Sequence, residues 1–494
     1  MLGLLGVAWY GWQQELIERD YPSPVEWSYF SRASFRHAHA RLNPELDGSG
    51  LIDWAAAGND FRRCLARLED ANGDGKGIVP VGPQSDIFDS TENLGVRLSS
   101  FDVSAKSYPW RDGYFRIIMG CARAAEFLDD MVLDETRRTV FPKHVVIGPS
   151  NPDPRPVPPG SPPAPLEENC GRPYNPPETF YMKILTGIGF STRHRIDAAL
   201  AYANYLEFKG LQDAAEETYR WALDIAASAL PNPDAAVDSQ TGIIKVDEAA
   251  PPSANLLRAA TSLATHRART GDVTSALPVY LSILRARRAA PLDVASRLPS
   301  TAHDTSSPQY STDYARFASL LRSVIRSSDY PAEPPSGDEP FLQSSTSEPD
   351  CTEAELMIYI GEILFATSSS HPDEGLGWTK QAVENAQKSL ATQELTKDER
   401  LTCKSCLETG VANWGMMVKK LLRDEKAGKF TSAPAVKGWT SWFGGASSES
   451  SATVQSKWED EARIVEELRI KLVREGISQK LALSPGVPGG VFIG

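Results

Sequence analysis

The chain is poor in several features that would each announce a function. Within its 494 residues no uncharged apolar run reaches the length of about 20 that a membrane-crossing helix needs. Basic residues are outnumbered, with 51 Lys and Arg against 64 Asp and Glu, and they form no block. The resulting net charge of −13 argues against nucleic acid and against a polybasic membrane patch. Histidine is scarce and scattered, at His37, His39, His144, His194, His266, His303 and His371, and no H-E-x-x-H pattern occurs. A nucleophile elbow, a Walker loop and a dinucleotide fingerprint are also missing.

Cysteine is equally sparse. Six residues in so long a chain do not make a disulfide framework. Cys403 and Cys406 form a C-x-x-C pair inside a helix-like stretch, E-R-L-T-C-K-S-C-L-E-T-G, with no second pair or nearby histidines for zinc. They read as two ordinary helix cysteines. No N-x-S/T sequon is present, so a reducing or matrix-like compartment is expected. The most tempting metal motif is D-A-N-G-D-G-K-G-I-V, where Asp70, Asn72, Asp74 and Gly75 sit as in an EF-hand loop. Its twelfth position is Val81, not the bidentate glutamate such a loop requires, so a polar turn is expected instead. No catalytic residue, metal, cofactor or small-molecule substrate is expected.

What the chain does contain is helix-forming sequence interrupted by proline. Met1 to Trp12 is uncharged and ends in Trp9, Tyr10 and Trp12, where an interfacial aromatic belt would lie. Either part of a membrane anchor or an amino-terminal helix docked on the body would account for it. Amphipathic spacing predicts helices over Ser23–Arg41, Leu51–Ala71 and Trp110–Thr139. Pro149 to Pro177 favours extended polyproline II geometry, read as a stiff connector, with an SH3- or WW-type ligand as the alternative. Glu178–Phe190 resumes helix, a segment over 298–349 rich in Ser, Thr and Pro holds one helix at Thr312–Ser327, and Lys457–Gln479 forms a last charged helix. Gly428 to Ser456 is Ser/Gly-rich, with Trp439, Trp442 and Phe443 available for docking.

The middle of the chain repeats itself. Ala199, Tyr202, Ala203, Leu206, Gly210, Ala215, Tyr219 and Ala222 recur 61 positions on as Ala260, Leu263, Ala264, Arg267, Gly271, Ala276, Tyr280 and Ile283. In each copy an apolar face ends at a glycine able to take φ > 0, and a second helix follows. A small residue four positions before an aromatic one puts both on one face of that second helix. An inserted loop over 231–252 explains why the spacing exceeds one unit. A weaker third copy carries Met357, Ile360, Gly361 and Leu364, then Gly375, Thr379 and Ala382, with glycine and threonine in place of the signature alanine and aromatic. Leu395–Arg423 would be a fourth unit or a cap.

This pattern resembles the tetratricopeptide (TPR) repeat, a helix–turn–helix of about 34 residues. The resemblance implies an all-α, TPR-like superhelix (α-solenoid) of antiparallel hairpins with long Pro/Ser-rich loops. Its organisation would be a stub over 1–20, degenerate hairpins over 21–148, a linker over 149–177, repeats over 178–424, a Ser/Gly-rich segment over 425–456 and a carboxy-terminal helix and tail over 457–494. The family's register implies a peptide-binding groove formed by Leu200, Asn204, Glu207 and Phe208, and by Arg258, Thr261, Thr265 and Arg269. An asparagine beside arginines could hold a peptide's terminal carboxylate. The general plan is similar to fungal membrane-tethered TPR proteins, including adaptor subunits of the mitochondrial inner-membrane AAA protease. The resemblance thus implies a non-enzymatic scaffold or adaptor for protein partners, beside a mitochondrial membrane and tethered through residues 1–12. A soluble cytosolic co-chaperone or assembly factor is the alternative, and a hydrolase or transferase hidden in the amino-terminal third is the third reading.

Overall fold

The computed structural model describes residues 11, 13–43, 52–81, 100–245, 252–291, 330–342, 350–368, 372–392, 395, 397–427 and 457–476. Most of the apolar stub, the helix expected at Thr312–Ser327 and the aromatic residues Trp439, Trp442 and Phe443 lie outside them. The described chain is mostly helical with a few short strands. It divides into two compact units. Unit 1 is Met1–Leu230, Ser253–Ala259 and Thr301–Glu339, and unit 2 is Pro231–Pro252, Ala260–Ser300 and Pro340–Gly494.

Unit 1 begins with helix over 13–20, then α1 (Tyr29–Arg41), α2 (Trp54–Leu68) and α3 (Tyr108–Leu128). The start of α2 is fixed by Asp53, whose carboxylate accepts the Ala56 N–H and satisfies one orphan donor. Ser107 does the same for α3 through the Trp110 N–H. Helix α3 buries Trp110, Tyr114, Ile117, Ile118 and Cys121. It packs on α2 so closely that a Cβ at Gly120 would meet the Phe61 ring at 2.7 Å. Only glycine leaves room for that ring.

The helix expected through Thr139 stops at Leu128. The chain then turns back on itself, with β3 (Met131–Asp134) antiparallel to β4 (Thr139–Pro142), following a first strand pair of β1 (Val79–Val81) and β2 (Ser100–Asp102). The reason is local. Asp134 Oδ1 accepts the Thr136 N–H and hydroxyl, which closes the turn, and Arg138 takes φ 55°. The β-branched residues flanking that turn prefer strand. The proline-rich segment folds back as well. Ile147 bridges Leu166, and β5 (Cys170–Gly171) pairs with β3.

Helices α4 (Pro177–Leu185), α5 (Thr192–Phe208) and α6 (Gln212–Ser228) complete the main body of unit 1. The turn between α5 and α6 is as expected. Gly210 has φ 77°, and the Leu211 N–H reaches back to the Leu206 carbonyl at 2.9 Å. The turn between α7 (Ala254–Thr270) and α8 (Val273–Ala289) reproduces it, with Gly271 at φ 90° and the Asp272 N–H on the Arg267 carbonyl at 2.9 Å. Ala215, Tyr219 and Ala222 are buried on α6, as are Ala276, Tyr280 and Ile283 on α8. The division between units falls within α7, after Ala259.

In unit 2, α8 packs on α9 (Cys351–Thr367), α9 on α10 (Pro372–Thr392), and both α9 and α10 on α11 (Lys397–Lys426). Helix α12 (Lys457–Arg474) covers α11, burying Val465 and Leu472 as its inward residues. The reading of Cys403 as an ordinary helix cysteine is corrected here: it is disulfide-bonded to Cys351 at the start of α9, 52 residues away. Proximity in space, not in sequence, selects the partner. Cys406 remains a free, buried thiol, pushed up to about 12 by burial and by the Glu355 charge.

Candidate binding faces of the helical hairpins

Five of the eight groove residues belong to unit 1 and three to unit 2. Leu200 is corrected first. It is buried in the body of unit 1 and is not on an open face. Asn204 is exposed, but its side chain is engaged, since Tyr219 on the paired helix donates its hydroxyl to Asn204 Oδ1 at 2.6 Å and to Glu207 Oε2 at 3.1 Å. Phe208, at the end of α5, is 82% exposed. Arg258 is exposed and forms an ion pair with Asp197 of α5. That pairing competes with the carboxylate clamp expected of Arg258.

The second copy repeats the tie across the hairpin. Thr265 Oγ1 and Tyr280 Oη lie 2.9 Å apart, at the positions that Asn204 and Tyr219 hold in the first copy. Thr265 also donates to the Thr261 carbonyl at 2.8 Å, and Thr261 is half-buried. Arg269 is exposed. The tyrosine therefore both fills the gap between helices and hydrogen-bonds its partner helix, as a buried phenol must.

Sequence reasoning missed a face in unit 2. Glu355, Tyr359 and Glu362 occupy one stripe of α9, four and three residues apart, and all three are half-buried. The Tyr280 and Tyr359 rings stack at 5.4 Å and 27°. Tyr359 donates to Glu355 at 2.8 Å, and the Asn413 amide donates to Glu362. Burial pushes the Glu362 carboxyl up, against the stabilising Asn413 hydrogen bond. Burial and the Glu355 charge likewise push the Tyr359 phenol up. The i, i+4, i+7 polar spacing was present in the sequence, but the opposite, apolar face of the same helix drew the reading.

Two buried polar clusters in unit 1 were also not anticipated. Glu69 accepts from Lys183 Nζ at 2.7 Å and from the Tyr114 hydroxyl at 2.9 Å, and Lys183 Nζ lies 5.2 Å from the centre of the Phe101 ring. Asp112 of α3 gathers His194 Nε2 at 3.2 Å, Arg116 Nε at 2.8 Å and the Tyr330 hydroxyl. Burial alone would raise its carboxyl. The His194 and Tyr330 hydrogen bonds and the Arg116 charge outweigh that and hold it below the usual range. Phe115 stacks on the His194 ring at 4.2 Å. A distant carboxylate–histidine pair of this kind has no local sequence signature.

Among the described residues, no group of three or more His, Cys, Asp and Glu is placed to hold a metal ion. The EF-hand-like stretch forms a turn, in which the Asp74 carboxylate accepts the Ser28 N–H at 2.9 Å and the Ser28 hydroxyl at 2.8 Å. Comparisons with protein-family models, curated proteins and solved structures returned no match.

Proposed function

We propose that the chain is a non-enzymatic protein-interaction scaffold or adaptor built from TPR-like hairpins arranged as an α-solenoid. The observation that carries this reading is the repeated hairpin itself. The glycine turn, the buried small–aromatic pair and the cross-hairpin tyrosine hydrogen bond all recur 61 positions apart. A unit of this kind hides its apolar flank against neighbours and leaves the rest of its first helix for contacts with other proteins. Partner-facing positions are then Phe208 and Asn204 on α5, and Arg258 and Arg269 on α7, which are exposed. The half-buried stripe of Glu355, Tyr359 and Glu362 on α9 extends the contact surface of unit 2.

The membrane placement rests on the uncharged residues 1–12 and on the resemblance to mitochondrial membrane-tethered TPR proteins. Among the described residues, no helix is long and apolar enough to cross a membrane. In this reading the tether is the stub over residues 1–12. Affinity purification of the full chain tests the scaffold. A Phe208→Asp, Arg269→Glu double variant should lose protein partners while keeping the wild-type melting curve. Undiminished partner recovery would overturn the assignment of these faces.

A further inference from the structure

Residues 330–339, Y-P-A-E-P-P-S-G-D-E, belong to unit 1 and form neither helix nor strand. They are attached at two ends. At the first, Tyr330 donates its hydroxyl to Asp112 Oδ2, and the Arg116 guanidinium stands 5.7 Å from the centre of its ring. At the second, Asn255 in the first turn of α7 gives its backbone N–H to the Gly337 carbonyl at 3.1 Å. The Asn255 amide donates to the Ser336 carbonyl at 2.9 Å and to Asp338 Oδ1 at 2.7 Å. Asn255 is itself buried, and its N–H is one of the donors that a helix start leaves without an internal partner. Between these ends, Pro331 to Pro335 are all exposed.

The segment is thus held as a bound peptide is held, by its ends and by hydrogen bonds, with little apolar surface buried between. We propose that this face of unit 1 is a docking site for an extended, proline-rich segment of a partner protein, and that residues 330–339 occupy it in cis until such a segment displaces them. This rests on the reading of the chain as a protein-binding scaffold and names the chemistry of one of its partners. The site dictates that chemistry. The Asp112 carboxylate and the Arg116 guanidinium receive a tyrosine. Proline pre-sets polyproline II backbone, which lowers the ordering entropy lost on docking. From Tyr330 to Gly337 such a segment reaches about 22 Å at about 3.1 Å per residue. Glycine is required at the far end, because Gly337 has φ 78° and a Cβ there would stand 2.6 Å from Asn255 Oδ1. The recognised pattern is tyrosine, then a proline-rich stretch, then Gly-Asp.

The test uses the full chain and a fluorescent peptide of residues 329–340. In the wild type the tethered segment competes at high effective concentration, so the peptide should bind weakly. Tyr330→Phe and Gly337→Ala each loosen the cis segment and should tighten peptide binding at least tenfold. Adding Asp112→Asn to either variant should weaken it again at least tenfold. Tyr330→Phe removes only a hydroxyl, so it carries the test if Gly337→Ala fails to fold. Peptide binding no tighter in the loosened variants, or indifferent to Asp112→Asn, would overturn the proposal. So would a stable dimer of the loosened variants that the peptide fails to dissociate, since the occupant would then be a second copy of this chain. Partner recovery by wild-type chain alongside absent peptide binding would sink this site alone. Partner recovery unaffected by Phe208→Asp and Arg269→Glu would sink the scaffold faces instead.

Discussion

Gly361 of α9 and Gly375 of α10 lie backbone against backbone, and a Cβ on Gly361 would stand 2.8 Å from the Gly375 carbonyl oxygen. In the third hairpin, expected to be a poorer copy because glycine and threonine replace alanine and an aromatic residue, the two glycines let the helix backbones meet at this point. Thr379 occupies the remaining space and donates its hydroxyl to the Gly375 carbonyl at 3.1 Å. Gly361→Ala should therefore cost about 1–3 kcal/mol through overpacking. Gly377→Ala, two residues beyond Gly375, meets nothing within 4 Å and should be neutral or stabilising by up to about 1 kcal/mol. Urea unfolding of the two variants separates these outcomes.

The Cys351–Cys403 bond ties α9 to α11 across a loop of 52 residues. Chain-entropy reasoning puts its contribution to unit 2 at about 4 kcal/mol. Cys351→Ser should lower the melting temperature of wild-type protein to the value reached by adding reductant. Reductant should leave the variant unchanged. Calorimetry with and without reductant checks both statements.

Lys183 and Glu69 are both buried in unit 1, so removing one partner strands the other charge. Lys183→Met should cost about 3–5 kcal/mol, and the second change Glu69→Leu should recover part of it. A double-mutant cycle in denaturant measures the coupling. Additive losses would show that the pair is not a unit.

Glu18 anchors the helix over 13–20. Burial would raise its carboxyl, but the Ser23 N–H and hydroxyl, Arg36 and Arg32 together hold it below the usual range. A depressed folded-state value adds stability above the unfolded value of about 4.3, and that stability disappears as pH falls through the folded value. Wild type should therefore melt above Glu18→Gln at pH 6, and the gap should narrow as the pH is lowered below about 4. A gap independent of pH would exclude this electrostatic origin.

The hairpins were legible because their information is local. The spacing of Ala215, Tyr219 and Ala222 and the glycine at 210 specify a helix face and a turn within a few residues. The stop of α3 at Leu128 was not legible from the apolar stripe, since Met131 and Val132 continue it in register. The stronger sign was the β-branched and turn-forming composition of V-L-D-E-T-R-R-T-V. The Cys351–Cys403 bond, the Asp112–His194 pair and the Tyr330 contact join residues far apart in sequence. Helical periodicity says nothing about which distant side chains meet. Among the groove residues, the register placed Phe208, Arg258 and Arg269 on the surface. It misplaced Leu200, whose burial depends on neighbouring helices and not on α5 alone.

The central claim is that partners bind the exposed side of the repeated first helices. Hydrogen exchange of the full chain, alone and with its affinity-purified partner, reads that surface most directly. The account predicts slowed exchange in α5 and α7, lost in the Phe208→Asp, Arg269→Glu variant. Protection confined to other segments, with α5 and α7 unchanged, would contradict it.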